Sequence, residues 1–217
     1  MLGFPNIIKR IETSVREHQR DVDDITLIAV SKKQPETRIE DALSFGHRIF
    51  GENRVQEAKK RWSERRALYP NLKLHLIGPL QTNKVKEAVA LFDVIETIDR
   101  PKLARKLAKE ITAQGKNLEL FIQVNIGSEL QKAGILPENL KELYEICVSE
   151  CALNITGLMC IPPFDEDPKP HFQALAKMAE DLGLKHISMG MSSDFEQAIA
   201  CGATHIRIGS ALFGERP

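Results

Sequence analysis

The sequence has no uninterrupted apolar run approaching the ~20 residues that span a bilayer, and its first segment, MLGFPNIIKRIETSVREHQRD, is broken by charge throughout. A membrane span and a secretory signal are therefore not expected, and a soluble cytoplasmic protein is. A charge excess is also missing. Thirty Lys plus Arg stand against thirty Asp plus Glu, so no overall positive field exists to draw nucleic acid or an anionic membrane surface. Cysteine is scarce: Cys147, Cys151, Cys160 and Cys201 show no close CxxC pairing, which argues against zinc and thiol-redox motifs and for buried free thiols in a reducing compartment. No GxGxxG turn follows the first apolar run, so a dinucleotide crevice lacks its usual phosphate turn.

What is present is hydrophobicity in short, regularly spaced blocks. Residues 25–31 (ITLIAVS), 48–51 (RIFG), 74–78 (LHLIG), 94–98 (VIETI), 118–126 (LELFIQVNI), 155–161 (ITGLMCI), 186–191 (HISMGM) and 205–209 (HIRIG) each read as a strand. Helical patterns over 36–44, 55–67, 84–91, 102–114, 138–151, 170–182 and 194–200 separate them. Gly46, Gly115, Gly183 and Gly202 fall just after four of these helices, where a left-handed stop favours glycine. Strict alternation without an Asn-Gly hairpin signal indicates a parallel sheet. Eight such units after one leading helix, over 6–19, favour a single (β/α)8 TIM barrel spanning 1–217 over an open doubly wound sheet. The acidic, proline-bearing stretch 162–170 (PPFDEDPKP) reads as the longest loop, at the barrel rim.

In such a barrel the chemistry collects at the C-terminal strand ends. Lys32 closes the first strand, and alternation puts it on one face with Ile28 and Val30, over the barrel mouth, while Lys33 faces away. A lysine partly desolvated there is suited to attack an aldehyde, although an ordinary snorkelling lysine fits the same position. Glu52 and Asn53 follow the second strand and can bind a ligand substituent at the rim; Asn53 equally suits the N-cap of the next helix. His75 reads as a satisfied core histidine. Ser192, Ser193 and Asp194, with Gly209 and Ser210, occupy the last two loops, where backbone N–H groups and hydroxyls commonly hold a phosphate. Arg207, one layer below Gly209, points into the mouth and needs a partner: a core carboxylate or the ring nitrogen of a bound pyridine.

At these positions the pattern becomes specific. AVSK at 29–32, FGENRVQE at 50–57, HLIGPLQTNK at 75–84, QVN at 123–125, KAG at 132–134, GLM at 157–159, SMGMSSD at 188–194 and IRIGSALFG at 206–214 together resemble the pyridoxal phosphate homeostasis protein family over nearly the whole chain. The resemblance implies a barrel of the alanine-racemase N-terminal type with pyridoxal 5′-phosphate (PLP) held as a Schiff base on Lys32. It further implies cofactor contacts from Asn53, Ser192, Arg207 near the pyridine nitrogen, and Gly209 with Ser210 around the phosphate. Arg54 departs from the tyrosine often found there in the family.

An arginine beside the pyridine nitrogen disfavours ring protonation and makes the ring a poorer electron sink. Alanine racemases share that arginine but add a β-domain with a catalytic tyrosine. Here the sequence ends at Pro217, and neither Tyr69, in a loop, nor Tyr144, in a helical pattern, stands as an opposing base. The expectation is a monomeric carrier or regulator that holds PLP without turnover and keeps cofactor and amino-acid pools balanced, with apo PLP-dependent enzymes as candidate recipients. No catalytic residue and no metal site is expected. Two alternatives stay open: a PLP-dependent amino-acid racemase using Lys32 as one acid–base group, and a phosphate-binding barrel enzyme without PLP.

Overall fold

Each apolar block becomes a strand of one sheet. The computed structural model describes residues 3–215; the expected domain limits at 1 and 217 lie outside them. The strands are β1 (Thr26–Val30), β2 (Ile49–Glu52), β3 (Lys73–Leu76), β4 (Val94–Ile98), β5 (Glu119–Val124), β6 (Ile155–Cys160), β7 (His186–Ser188) and β8 (His205–Ile208). They run parallel in sequence order, and β8 pairs with β1 to close the barrel. The (β/α)8 barrel expected from the alternation is the observed fold.

The leading helix is α1 (Phe4–Glu17), which buries Phe4, Ile7, Ile11 and Val15. Around the barrel follow α2 (Glu36–Ser44), α3 (Val55–Trp62), α4 (Arg65–Leu68), α5 (Val85–Leu91), α6 (Pro101–Gln114), α7 (Leu140–Glu145), α8 (Pro168–Asp181), α9 (Phe195–Ala200) and α10 (Ser210–Phe213). Gly46, Gly115, Gly183 and Gly202 all take positive φ, the left-handed stop expected of them. The helix expected over 55–67 is instead two pieces. Ser63 Oγ donates to the Lys59 carbonyl at 2.6 Å, and such local bonding competes with the helix ladder. The 138–151 helix likewise divides, with a 3-10 turn before α7 and a π-wound segment, Ile146–Glu150, after it. The longest loop is not 162–170, because α8 already begins at Pro168; the connection at 125–136, after β5, is longer.

Two cores result. The larger lies between sheet and helices, with Phe50, Trp62, Leu74, Phe172 and Phe195 fully buried. The smaller fills the barrel with Val94, Phe121 and Met159. Beside these three run buried polar side chains, among them His75, Glu96, Ser188, His205 and Arg207. Polar groups at that depth persist only when hydrogen-bonded, and their partners lead upward to the C-terminal mouth.

Candidate functional site

The mouth begins with the turn after β1. Lys32 lies two residues past Val30, half-buried in a turn, and not on the strand itself as expected; Lys33 is exposed with φ 56°. The Ser31 N–H still bonds to the Gly51 carbonyl at 3.1 Å, and the Gln34 N–H closes the turn onto the Ser31 carbonyl at 3.1 Å. Arg61 on α3 clamps it from outside, donating to the Ser31 carbonyl at 2.5 Å and the Gln34 carbonyl at 2.8 Å. Lys32 therefore projects from a fastened turn.

Glu52 does not join the rim. Successive strand residues face opposite ways, and its carboxylate is buried on the helix side. There Oε1 accepts from Ser31 Oγ (2.7 Å), Arg61 (3.0 Å) and Trp62 Nε1 (3.1 Å). Nor is Asn53 a helix cap: the N-cap of α3 is Arg54, with no side-chain cap bond. The Asn53 Oδ1 is buried and has no hydrogen-bond partner among the described residues. The residue lines a cavity of about 560 Å³ together with Arg54, Gln56, Gln81 and Lys84. A buried amide oxygen without a donor costs about 1–3 kcal/mol, which a donor from a ligand would offset.

Across the mouth, the loop after β7 is fixed by Gly190, whose φ of 92° turns the chain away from the sheet. Its carbonyl accepts from the Arg207 N–H at 3.0 Å, and the Met191 N–H donates to Asp194 Oδ1 at 2.5 Å. Three donors from the loop after β8 then converge on Ser192 Oγ: the Gly209 N–H at 3.3 Å, the Ala211 N–H at 3.4 Å and Ser210 Oγ at 3.4 Å. These bonds are long, so the donors retain capacity for an anion. A Cβ at Gly209 would lie 3.6 Å from Val30 Cβ, on the inner face, so glycine leaves the space above Val30 open. Ser193 is exposed and Asp194 is engaged with its own loop.

Arg207 forms the floor. It is 4% exposed and donates to Ser188 Oγ at 2.6 Å and to the Cys160 carbonyl at 2.7 Å. Ser188 Oγ donates to Glu96 Oε2 at 2.5 Å, and Glu96 Oε1 bonds to His75 Nδ1 at 2.7 Å. Burial alone would raise the Glu96 pKa, but the His75 hydrogen bond and the nearby Arg207 guanidinium outweigh it and hold the carboxyl below its ordinary value. The buried arginine thus reaches a core carboxylate through a hydroxyl, and these two bonds use two of the guanidinium's five N–H donors. His75 is a core residue as expected, although its Nε2 has no partner there. Sequence reasoning missed Arg61, Glu96 and Ser188. The signal for Glu96 was a carboxylate inside an otherwise apolar strand, VIETI.

The strand register sets these groups side by side. Arg207 pairs with Ile28 and Ile208 with Ala29 on one flank of β1, and Val30 pairs with Gly51 on the other. The turn bearing Lys32 accordingly lies between Asn53 and Gly209. An amine, an unpartnered amide oxygen, a guanidinium with spare donors and converging N–H and O–H groups fit a ligand with a carbonyl, a hydroxyl, a ring acceptor and an anion. Those are the functional groups of PLP.

Fold and site together define a class: a parallel β/α barrel with a lysine and a cluster of N–H and O–H donors at its C-terminal mouth. The chain belongs to the family described as alanine racemase, N-terminal domain, which matches residues 8–217, and by full-length similarity to the pyridoxal phosphate homeostasis proteins. It is 39% identical to the pyridoxal phosphate homeostasis protein of Aquifex aeolicus, over 97% of this chain and 95% of that one. The pyridoxal phosphate homeostasis protein of Escherichia coli is also 39% identical, over 95% and 92%. Among solved structures, PipY of Synechococcus elongatus with PLP bound superposes with a TM-score of 0.80 at 35% identity, covering 95% of this chain and 100% of that one. The resemblance read from the motifs is the family observed.

Proposed function

We propose that this protein binds PLP at the C-terminal mouth, holds it covalently through the Lys32 amine, and serves PLP and amino-acid homeostasis as a carrier or regulator. The observation that carries the reading is the Lys32 turn set between an Asn53 oxygen without a partner and the donors of Gly209, Ser210 and Ala211. PLP, when bound, supplies an aldehyde and a pyridine ring that can accept electrons.

The residues divide that ligand among them. Lys32 offers the nucleophilic amine, and the clamp of Ser31, Glu52 and Arg61 fixes its approach. Gly209, Ser210 and Ala211, with Ser192, take the phosphate through N–H and O–H donors, and Asn53 Oδ1 accepts from a ligand hydroxyl. Arg207 directs its spare N–H groups to the ring nitrogen. A cation there keeps that nitrogen unprotonated, which holds the ring in its less reactive form. No tyrosine stands opposite Lys32 among the described residues: Tyr69 lies under Arg48 (4.8 Å) before β3, at the other end of the barrel, and Tyr144 packs within α7. The chain's own groups therefore bind and hold, without supplying an opposed acid–base pair.

The test is the visible absorption of purified protein and of Lys32→Ala with added PLP, with borohydride trapping, mass analysis and an amino-acid racemisation assay. A visible band and a trapped adduct that both need Lys32, without turnover, are expected. Steady racemisation would make the protein an enzyme, and absence of PLP binding would return it to a phosphate-binding barrel of other chemistry.

A further inference from the structure

Four polar side chains from four strands form one line inside the barrel. His75 (β3), Glu96 (β4), Ser188 (β7) and Arg207 (β8) are at most 4% exposed and are joined by bonds of 2.7, 2.5 and 2.6 Å. Burying a carboxylate and a guanidinium carries a large desolvation penalty, and well-packed apolar residues often serve stability as well or better. Val94, Phe121 and Met159 fill the adjoining space in that way. Two further features tie the polar line to the mouth. Ser188 uses its single proton on Glu96 and a lone pair on Arg207, so it relays orientation in one direction. With the Cys160 carbonyl at the other terminal nitrogen, two corners of the guanidinium are pinned and its plane is set.

The interposed hydroxyl also matters. A direct carboxylate–guanidinium fork would occupy two of the arginine's donors and largely cancel its charge, whereas here Glu96 balances Arg207 from one residue away. We propose that Glu96, acting through Ser188, is a positioning residue that orients Arg207 and tunes its charge toward a ring-nitrogen acceptor at the mouth. This rests on the reading that PLP binds there. Glu96 touches no ligand in this scheme; it acts only through Ser188.

The experiment compares wild type, Glu96→Gln and Ser188→Ala for the dissociation constants of PLP and of 1-deazapyridoxal phosphate, in which a C–H replaces the ring nitrogen. Gln at 96 keeps the shape and can still accept from Ser188, and urea unfolding verifies that each variant is folded. Ser188→Ala should weaken PLP about tenfold, and Glu96→Gln should weaken it about threefold, since a charge-assisted bond becomes a neutral one. Both should bind the deaza analogue within about twofold of wild type. Equal weakening of the two ligands would assign Glu96 and Ser188 a merely structural role and overturn the proposal, as would no weakening at all. Wild type that binds no PLP would overturn the cofactor reading itself, and this proposal with it.

Discussion

Arg61 on α3 holds the carbonyl oxygen of Ser31, the residue immediately before Lys32, at 2.5 Å. The same guanidinium neutralises Glu52, whose side chain is fully buried, at 3.0 Å. Removing it would loosen the Lys32 turn and leave a buried carboxylate with only Ser31 and Trp62 as donors. Arg61→Ala should therefore cost about 3 kcal/mol of stability and weaken PLP binding. Arg105→Ala, which removes a pair with the exposed Glu150, should cost far less, because solvent screens an exposed pair. Urea unfolding of both variants checks the contrast; similar losses would mean that the clamp contributes no more than a surface ion pair.

Asn53 separates folding from binding more cleanly. Its buried Oδ1 has no partner among the described residues, so truncation removes an unsatisfied acceptor and no existing bond to it. Asn53→Ala should leave the ligand-free protein at least as stable as wild type, because the truncation relieves the cost of that unpaired oxygen. PLP affinity should nevertheless fall about threefold to tenfold. A variant that unfolds more readily yet binds PLP normally would place Asn53 in the scaffold and outside the site.

Below the mouth, burial pushes the His205 imidazole down to about 4; Glu96 and Glu119 oppose the shift, and His75 and His186 add to it. Its folded pKa lies below the ordinary value of 6.5, so the unfolded chain takes up the proton first. This contribution is complete above about pH 6.5 and is lost as the pH falls towards 4. At about pH 5 it removes roughly 2 kcal/mol. His47, also lowered to about 4 by burial, acts in the same direction. His205→Gln should show a smaller loss of stability than wild type between about pH 7.5 and pH 5. Equal pH sensitivity in the two proteins would contradict a buried neutral imidazole at 205.

The barrel was legible because each strand is a short apolar block between amphipathic helices, and β4 spans the very residues, Val94–Ile98, that the pattern marks. Strand ends were read too far where motif residues are apolar or small: β7 stops at Ser188 because Gly190 turns the chain out of the sheet. The period of two put Arg207 on the inner face, where it is buried, and the same period turns Glu52 away from the rim, a consequence the sequence reading did not apply. Arg61 was not legible. It sits in KKRWSERR, where every charge suits a solvated helix face, and its reach to Ser31 and Gln34 depends on how α3 packs against the turn after β1, which no local pattern encodes.

Gly209 offers the sharpest test of where the anion sits. An added Cβ would meet nothing closer than Val30, at an ordinary 3.6 Å. Gly209→Ala should therefore fold without a steric clash, and urea unfolding checks that it does. The added methyl would occupy the inner face above Val30, where an anion must approach to reach the Gly209 and Ala211 N–H groups now directed at Ser192 Oγ. PLP affinity should fall by at least about tenfold, with pyridoxal, which lacks the phosphate, affected far less. Loss of both ligands alike would mean that the methyl blocks the ring and not the phosphate. Unchanged binding of both would move the anion away from Gly209, towards the loop at Ser192 alone.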